Sequence, residues 1–207
     1  MKDSEIVYRK IKQMIIRTEL KPGQVILVTE LMERLNIGRT PIREALIKLS
    51  WEGQVRIIPR QCMMISELSI KDMESIYQIR YSLSALEGEL ASRKRTVDEL
   101  NKLSEIINRI KNEETDEERI MLDREFHMLI SRMTKNRFLE ETMNRNLDLS
   151  IRLLFLNREE GNSIDDKTTE EYEKIYGALN SQDEEMTSEL LINHVKKFRD
   201  KFVKYKF

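Results

Sequence analysis

The stretch that decides the fold covers residues 21–59 and reads KPGQVILVTELMERLNIGRTPIREALIKLSWEGQVRIIP. Thr29 is placed to cap a short helix, and the Asn-Ile-Gly sequence of residues 36–38 predicts a tight turn. A second helix is expected over 41–52, because Pro41 fits the first helical position, where the N–H that proline lacks is not needed. Two short helices joined in this way predict a helix-turn-helix.

The flanking segments complete a small domain. Apolar residues one turn apart predict an amphipathic helix over 4–18. Residues 25–28 form a short strand-like run. Two further strands, 55–58 and 63–65, are expected to pair as a hairpin that leaves Arg60 at an exposed tip. The sequence therefore predicts a winged helix-turn-helix domain over residues 1–66.

The rest of the chain, residues 67–207, predicts only helices, because no segment there alternates with the period of a strand. A Ser or Thr followed three residues later by an acid marks several helix starts. These starts are Ser69/Asp72, Thr96/Glu99, Thr115/Glu118, Thr168/Glu171 and Ser181/Glu184, and Asn136 is a further N-cap. The six expected helices lie near 70–94, 97–112, 116–134, 137–157, 169–180 and 182–205. The fold class is mainly α, with a C-terminal all-α helical bundle and its longest loop at 157–167.

Charge divides the chain at the same place as the predicted fold. Residues 1–65 contain 12 Lys and Arg against 7 Asp and Glu, whereas the remainder is net acidic and the whole chain has a net charge of −1. A basic small domain attracts a polyanion such as DNA. No apolar run is long enough for a membrane span, and the residues at the start lead us to expect no secretory signal. The single cysteine, Cys62, fits a reducing cytoplasm.

The second helix of the helix-turn-helix presents polar residues at its start. Arg39, Thr40 and Arg43 are expected to be exposed while the opposite face is buried. An arginine in the major groove can read guanine with two hydrogen bonds, and the backbone N–H groups of a helix start can bind phosphate. The alternative is a small helical interaction module whose arginines are only a solvated face.

In the predicted bundle, polar residues fall on faces that should be apolar. Arg80 and Glu87 lie near the apolar stripe of the first bundle helix, where they pair with neighbouring groups or await an acidic ligand. Asp123 and His127, one turn apart, share a face with apolar residues, as does His194 in the last helix. A carboxylate and two imidazoles can bind a divalent cation. The alternative is that both histidines are ordinary core residues.

The stretch quoted at the outset, and RTPIREAL (residues 39–46) above all, resembles the winged helix-turn-helix of the GntR family of bacterial transcription regulators. The resemblance implies that Arg39, Thr40, Pro41 and Arg43 belong to the recognition helix and that Arg60 belongs to the wing. The wing departs from the family pattern, which usually has glycine at the tip where this chain has Gln61 and Cys62.

The second half resembles the FCD ligand-binding domain of FadR-type regulators. The resemblance rests on Arg80 with Leu86-Glu87, on the run 123–127, on Asn136 and on EEYEKIYGALNSQD through His194. Six helices place it with the shorter, VanR-like branch.

That resemblance implies a Zn or Ni ion bound by Asp123, His127 and His194. The family's third histidine is replaced by Tyr172, which is a poorer ligand unless the metal lowers its pKa. The alternatives are that Tyr172 forms a hydrogen bond with the effector, or that the interior of the bundle binds no metal. Arg80, Glu87 and Tyr172 are the expected effector-binding residues.

Together the two resemblances imply a cytoplasmic, homodimeric regulator, a repressor that binds a palindromic operator in double-stranded DNA and senses a small carboxylate. No membrane partner is expected. Two alternatives are a metal-dependent enzyme and a helical scaffold without specific DNA binding. An enzyme is disfavoured because the sequence has no recognisable nucleophile arrangement or phosphate-binding loop.

Overall fold

The computed structural model describes residues 3–158 and 168–204, and within these ranges it contains nine helices and one antiparallel hairpin. In the first part of the chain the elements are α1 (Asp3–Ile16), α2 (Val28–Leu35), α3 (Arg39–Trp51), β1 (Val55–Ile58) and β2 (Cys62–Ile65). In the second part they are α4 (Ile70–Lys94), α5 (Val97–Asn112), α6 (Asp116–Met133), α7 (Arg137–Arg158), α8 (Thr168–Asn180) and α9 (Glu184–Lys204). The mainly α fold, with a winged helix-turn-helix before a six-helix bundle, is confirmed.

The small domain is built around the packing of α1 against α3. The four residues of α3 that the apolar spacing selects, Ile42, Ala45, Leu46 and Leu49, are all buried, as predicted. They contact a stripe on α1 that includes Ile11. Because this face of α3 points inward, the opposite face is available to solvent.

Three local predictions in this domain were wrong in detail. The helix α3 begins at Arg39, after the extended Gly38, so that Pro41 is its third residue rather than its first. Proline is tolerated there because the first four N–H groups of a helix have no partner within the helix. Leu27, not Thr29, precedes α2 and offers no side-chain cap. Residues 25–28 make only an isolated bridge, from Val25 to Met64, and not a strand.

The hairpin forms the predicted wing. Val55 pairs with Ile65 at its base and Ile58 with Cys62 near its tip. Arg60 has a left-handed backbone with a φ of 60°. This conformation is uncommon for a residue other than glycine, and it turns the chain at the wing tip without one.

The bundle follows the predicted helix starts closely. Ser69 and Thr96 form complete capping boxes, and Thr115 and Asn136 cap α6 and α7. At α9 the cap is Asp183 rather than Ser181, because the Asp183 carboxylate accepts the Met186 N–H. The predicted loop 157–167 lies almost entirely outside the described residues, and so does the side chain of Thr168, the predicted cap of α8.

Helices α4 and α9 pack closely at Gly88. A Cβ atom at that position would lie 2.6 Å from Ser188 Cα, a distance that a real Cβ does not tolerate. The hydroxyl of Ser188 donates a hydrogen bond to Ala85 O across the same contact. Gly88 therefore sets the spacing of the two helices that carry Arg80 and His194.

The two domains meet along α7. Asp148, which is 1% exposed, pairs with Lys12 of α1 at 2.5 Å and with Arg124 of α6 at 2.7 Å. Arg145 donates to Glu52 O at 3.1 Å, and Arg152 contacts Gln54 and Ser66 O. Across the described ranges, the structure has no helix that is long and apolar enough to span a bilayer.

Candidate functional site

The first candidate surface is the start of α3. Arg39, Thr40 and Arg43 are exposed there, and Pro41 is half-buried. No described residue forms an ion pair or hydrogen bond with the Arg39 or Arg43 side chains, which are therefore available to an external partner. The helix start also exposes backbone N–H groups that a phosphate can accept.

The wing adds positive charge beside α3. Arg60 is exposed at its tip and Arg56 is exposed on β1. Cys62, the free thiol of the chain, is half-buried in β2. The small domain therefore presents guanidinium groups from two separate elements.

The second candidate site is a buried polar cluster in the bundle. Asp123 and His127 extend from α6, and His194 extends from α9, so that their ligand atoms all lie within 4.8 Å of one another. His127 Nε2 is 3.4 Å from Asp123 Oδ1, and His194 Nε2 is 3.9 Å from the same oxygen. The predicted convergence of the three residues is therefore observed.

Tyr172 of α8 completes this cluster. Its hydroxyl donates a hydrogen bond of 2.6 Å to Asp123 Oδ1, and its ring makes an edge contact with Phe126. The phenolic oxygen is thus aimed at the carboxylate that faces both histidines. The structure places Tyr172 among the predicted metal ligands.

The cluster favours the protonation states that a metal requires. Burial raises the pKa of the Asp123 carboxyl, but the influence of His127, together with His194 and Tyr172, outweighs burial and holds that pKa below its usual value. Burial lowers the pKa of His127, which favours the neutral form of its ring. Metal ligands must be an ionised carboxylate and neutral imidazoles, so this donor set fits a cation.

Glu171 fixes the orientation of His194. Its carboxylate lies 3.1 Å from His194 Nδ1 and also pairs with Lys197. The hydrogen bond with His194 lowers the pKa of Glu171 to about 2. The other ring nitrogen, Nε2, lies on the side of Asp123, and a carboxylate behind one ring nitrogen is the usual arrangement around a metal-binding histidine.

Arg80 lies beside this cluster as an uncompensated buried cation. Its side chain is 4% exposed, its Nε has no hydrogen-bond partner, and no described carboxylate lies within ion-pair distance. Its positive charge lowers the pKa of both His127 and Glu87, so it lies close to both. A buried charge without a carboxylate partner is costly, so this guanidinium is suited to bind an anionic ligand.

Glu87 does not form the ion pair with Arg80 that the sequence left open. Its carboxyl accepts a short hydrogen bond from the Ser131 hydroxyl instead. Burial raises the pKa of Glu87 to about 7, against smaller opposing effects of Ser131 and Arg80. The group is therefore partly protonated near neutral pH, when it can donate as well as accept a hydrogen bond.

Sequence reasoning missed two sets of residues. Glu171 was expected only as the acid that follows Thr168 at a helix start; its contact with His194 was missed, because His194 lies on another helix and nothing in the spacing links the two. The charges at the domain junction, Lys12, Arg124 and Asp148, also looked like ordinary surface charge. Only the packing of α1, α6 and α7 buries the carboxylate of Asp148.

Two family models match this chain. Residues 3–65 match the model of bacterial regulatory proteins of the gntR family, and residues 75–197 match the FCD domain. Because the FCD match alone covers more than half of the chain, this protein belongs to the gntR regulators that carry an FCD domain. It is a DNA-binding transcriptional regulator with a ligand-sensing domain.

Individual proteins are also similar to this chain. The chain is 29% identical to the uncharacterized HTH-type transcriptional regulator YdhC of Bacillus subtilis, over 90% of this chain and 85% of that protein. It is 31% identical to the HTH-type transcriptional regulator McbR of Escherichia coli over 54% of this chain and 52% of that one. The solved structure of E. coli McbR/YncC covers 98% of this chain and 99% of its own, with a TM-score of 0.82 at 22% identity, and so supports the fold.

Proposed function

We propose that this protein is a homodimeric repressor that releases a palindromic operator when a small carboxylate enters the bundle. The observation that carries the ligand class is Arg80, a buried guanidinium without an anion. A carboxylate of the effector would accept hydrogen bonds from the Arg80 guanidinium. Glu87, whose pKa burial raises and the charge of Arg80 lowers, and Tyr172 of the neighbouring polar cluster would form hydrogen bonds with the rest of the molecule.

On DNA, each subunit would place the start of α3 in a major groove. Arg39, Thr40 and Arg43 would face the base edges, and Pro41 would fix the first turn behind them. Arg60 would bind the backbone beside the wing. A symmetric dimer matches a symmetric pair of half-sites. The residue ranges 1–66 and 67–207 would then divide DNA binding from effector binding and dimerisation, in a protein of the bacterial cytoplasm.

Helix α6 offers a route from one site to the other. Asp123 faces the polar cluster, whereas its neighbour Arg124 faces Asp148 at the domain junction. Asp148 in turn pairs with Lys12, and Lys12 contacts Glu52 at the end of α3. A small shift of α6 on effector binding would move these contacts and favour one arrangement of the DNA-binding domains, which is what a ligand must do to act.

The effector is testable by thermal unfolding with a panel of small mono-, di- and hydroxycarboxylates. An acid present at about 100 times its Kd should stabilise the protein by about 2.7 kcal/mol. Arg80→Met should abolish the shift while itself unfolding at the same or a higher temperature, because it removes an unpaired buried charge. Arg93→Met, on the exposed side of the same helix, is the control and should keep the shift. An acid that stabilises both variants equally would remove Arg80 from the site.

We also propose a divalent ion of the Zn or Ni class at Asp123, His127 and His194, since three buried ligands converge there. The ion would supply a further positive charge for the effector's carboxylate. Elemental analysis of the purified protein should find about one metal per chain, lost in His127→Ala. Among the described residues, these three form the one cluster of His, Cys, Asp or Glu side chains that could hold a metal ion. Metal retained by His127→Ala would therefore contradict the assignment.

Two other functions make different predictions. A scaffold would show no steeply salt-dependent affinity for DNA, whereas a regulator must. A metal-dependent hydrolase would turn over esters or phosphodiesters when a metal is added. The exposed arginines of α3 favour the regulator over both.

A further inference from the structure

A groove between α4 and α9 lies outside both candidate sites. Its volume is about 460 Å³, a size typical of small-molecule sites. Two turns further along α4, at Gly88, the same two helices pack too closely to admit a side chain. The helix pair is therefore tight at one level and open at another. The residues that line the opening and matter below are Glu74, Tyr77, Tyr81, Val195, Lys196 and Arg199.

Two buried residues form the floor of this groove. Tyr77 of α4 is 2% exposed and Val195 of α9 is 3% exposed. They pack with Met73 and Leu153 in a small apolar cluster that is separate from the main core of the bundle. The floor is therefore a thin apolar layer and not a deep core.

The floor borders the buried polar cluster. Arg80 lies one turn from Tyr77 on α4, and His194 directly precedes Val195 on α9. Burial raises the pKa of Tyr77, and the charges of Arg80 and Asp123 act on that pKa in opposite directions, so the phenol lies within electrostatic reach of both. The side chains of Tyr77 and Val195 thus lie between the groove and the buried cluster.

The rim of the groove carries positive charge. Lys196 and Arg199 are exposed on α9, opposite the exposed Glu74 of α4. Lys196 Nζ lies 5.1 Å from the centre of the Tyr81 ring, a cation–π contact that holds the ammonium group at the groove. Arg199 pairs with its neighbour Asp200 at 3.4 Å, but both side chains are exposed and such pairs are weak. A small anion that approaches the groove is therefore attracted by the rim.

We propose that this groove is a binding site for small anions and the route by which a carboxylate reaches Arg80, with Tyr77 as the gate. Its role as a route rests on the proposed function of Arg80 in binding the effector. The acid is first held by the ammonium group of Lys196 and the guanidinium of Arg199. Rotation of the Tyr77 ring out of the floor then opens a path of one helical turn to Arg80. The acid passes along this path without any covalent step.

Access to the buried cluster can be measured with thiol reagents, without knowledge of the effector. Ser84, which is 1% exposed and donates a hydrogen bond to Arg80 O, is the position for a thiol. The protein to be tested is Ser84→Cys with Cys62→Ser, which removes the native thiol. The probes are two small methanethiosulfonates, one with a sulfonate group and one with a trimethylammonium group. Mass spectrometry follows the rate at which each reagent modifies the introduced thiol.

The charge of the rim should decide which reagent enters faster. Lys196→Gln/Arg199→Gln should reduce the ratio of the sulfonate rate to the trimethylammonium rate by about fivefold at low salt, and by less at high salt. Because both side chains are exposed, these substitutions leave the core intact. Lys94→Gln/Arg137→Gln removes the same two charges from exposed positions outside the groove and should leave the ratio unchanged.

The gate predicts a second, independent effect. Tyr77→Leu, which keeps the floor apolar, should speed the reaction of both reagents by about tenfold, because a smaller side chain leaves the route open for a larger fraction of the time. Leu153→Ala, in the same apolar cluster but not in the groove wall, controls for the loss of packing and should give a smaller increase. Far-ultraviolet circular dichroism verifies that the variants are folded.

The outcomes separate the groove from the effector site beneath it. If the rim and gate substitutions leave both rates unchanged, or if the thiol does not react even in Tyr77→Leu, the groove is not a route to the interior and the proposal is overturned. The effector site would be untouched by that result, since the thermal shift of Arg80→Met tests it separately. Rates that follow the groove while no carboxylate depends on Arg80 would support the anion route and overturn only its link to Arg80.

Discussion

The DNA-binding domain and the bundle use polar residues in opposite ways. In the first, Arg39 and Arg43 are exposed on a helix whose other face is a compact apolar core. In the second, Arg80, Asp123 and His127 are buried inside the core itself. Exposed groups are free to contact a large partner, whereas buried groups can be satisfied only by one another or by a small ligand. The two regions therefore recognise a polyanion and a small molecule, respectively.

The largest effect should come from the junction between the two regions. Asp148→Ala would leave Lys12 and Arg124 without their shared carboxylate in a buried position. Removing one partner of a buried ion pair costs about 3–5 kcal/mol. Urea unfolding should show this loss as a lower midpoint, and Glu74→Ala, an exposed acid on α4, should show almost none. A loss below about 1 kcal/mol would mean that the domains are not joined through Asp148.

A second prediction concerns the cost of burying Glu87. Its folded pKa of about 7 lies above the unfolded value of 4.5, so folding disfavours the ionised form. The stability contributed by the protonated carboxyl is complete below pH 4.5 and is lost as the pH rises through about 7. Glu87→Gln should therefore change stability little at pH 5 and increase it by up to about 3 kcal/mol at pH 8.

Thermal unfolding of wild type and Glu87→Gln across this pH range is the measurement. Glu74→Gln, on the exposed side of the same helix, should follow the wild type at every pH. Parallel curves for wild type and Glu87→Gln would show that Glu87 does not titrate in the core as described.

Residues in the bundle were harder to predict from sequence than those in the small domain, for a physical reason. The apolar spacing of Ile42, Ala45, Leu46 and Leu49 fixes one face of α3, and the exposed arginines follow from it. The helix starts at Ser69 and Thr96 are equally local. By contrast, the hydrogen bond from Tyr172 to Asp123 and the contact between Glu171 and His194 each link two different helices. Spacing along one helix does not contain that information.

At the DNA surface the expected effects are smaller. Arg43→Ala should weaken binding to the operator by about 1–3 kcal/mol, with a smaller effect on scrambled DNA, because a base-reading arginine discriminates between sequences. Arg39→Ala should behave likewise. Arg137→Ala, an exposed arginine on α7, is the matched control. Titration of labelled duplexes measures both affinities, and equal losses on the two DNAs would rule out base reading.

Substitution of the wing arginine should have the smallest effect on DNA affinity. Arg60→Ala is expected to weaken binding to all DNA sequences evenly, by about 1 kcal/mol or less. It should also reduce the slope of log affinity against log salt concentration by about 1. A loss confined to the operator would instead place Arg60 against the bases.

The central claim is that α3 reads DNA and the buried cluster controls it, and selection from a random pool of duplex oligonucleotides tests this claim most directly. The wild type should enrich an inverted repeat, and a carboxylate that stabilises the wild type but not Arg80→Met should suppress the enrichment. A pool that stays random with the wild type, in the presence and absence of the candidate acids, would contradict the account.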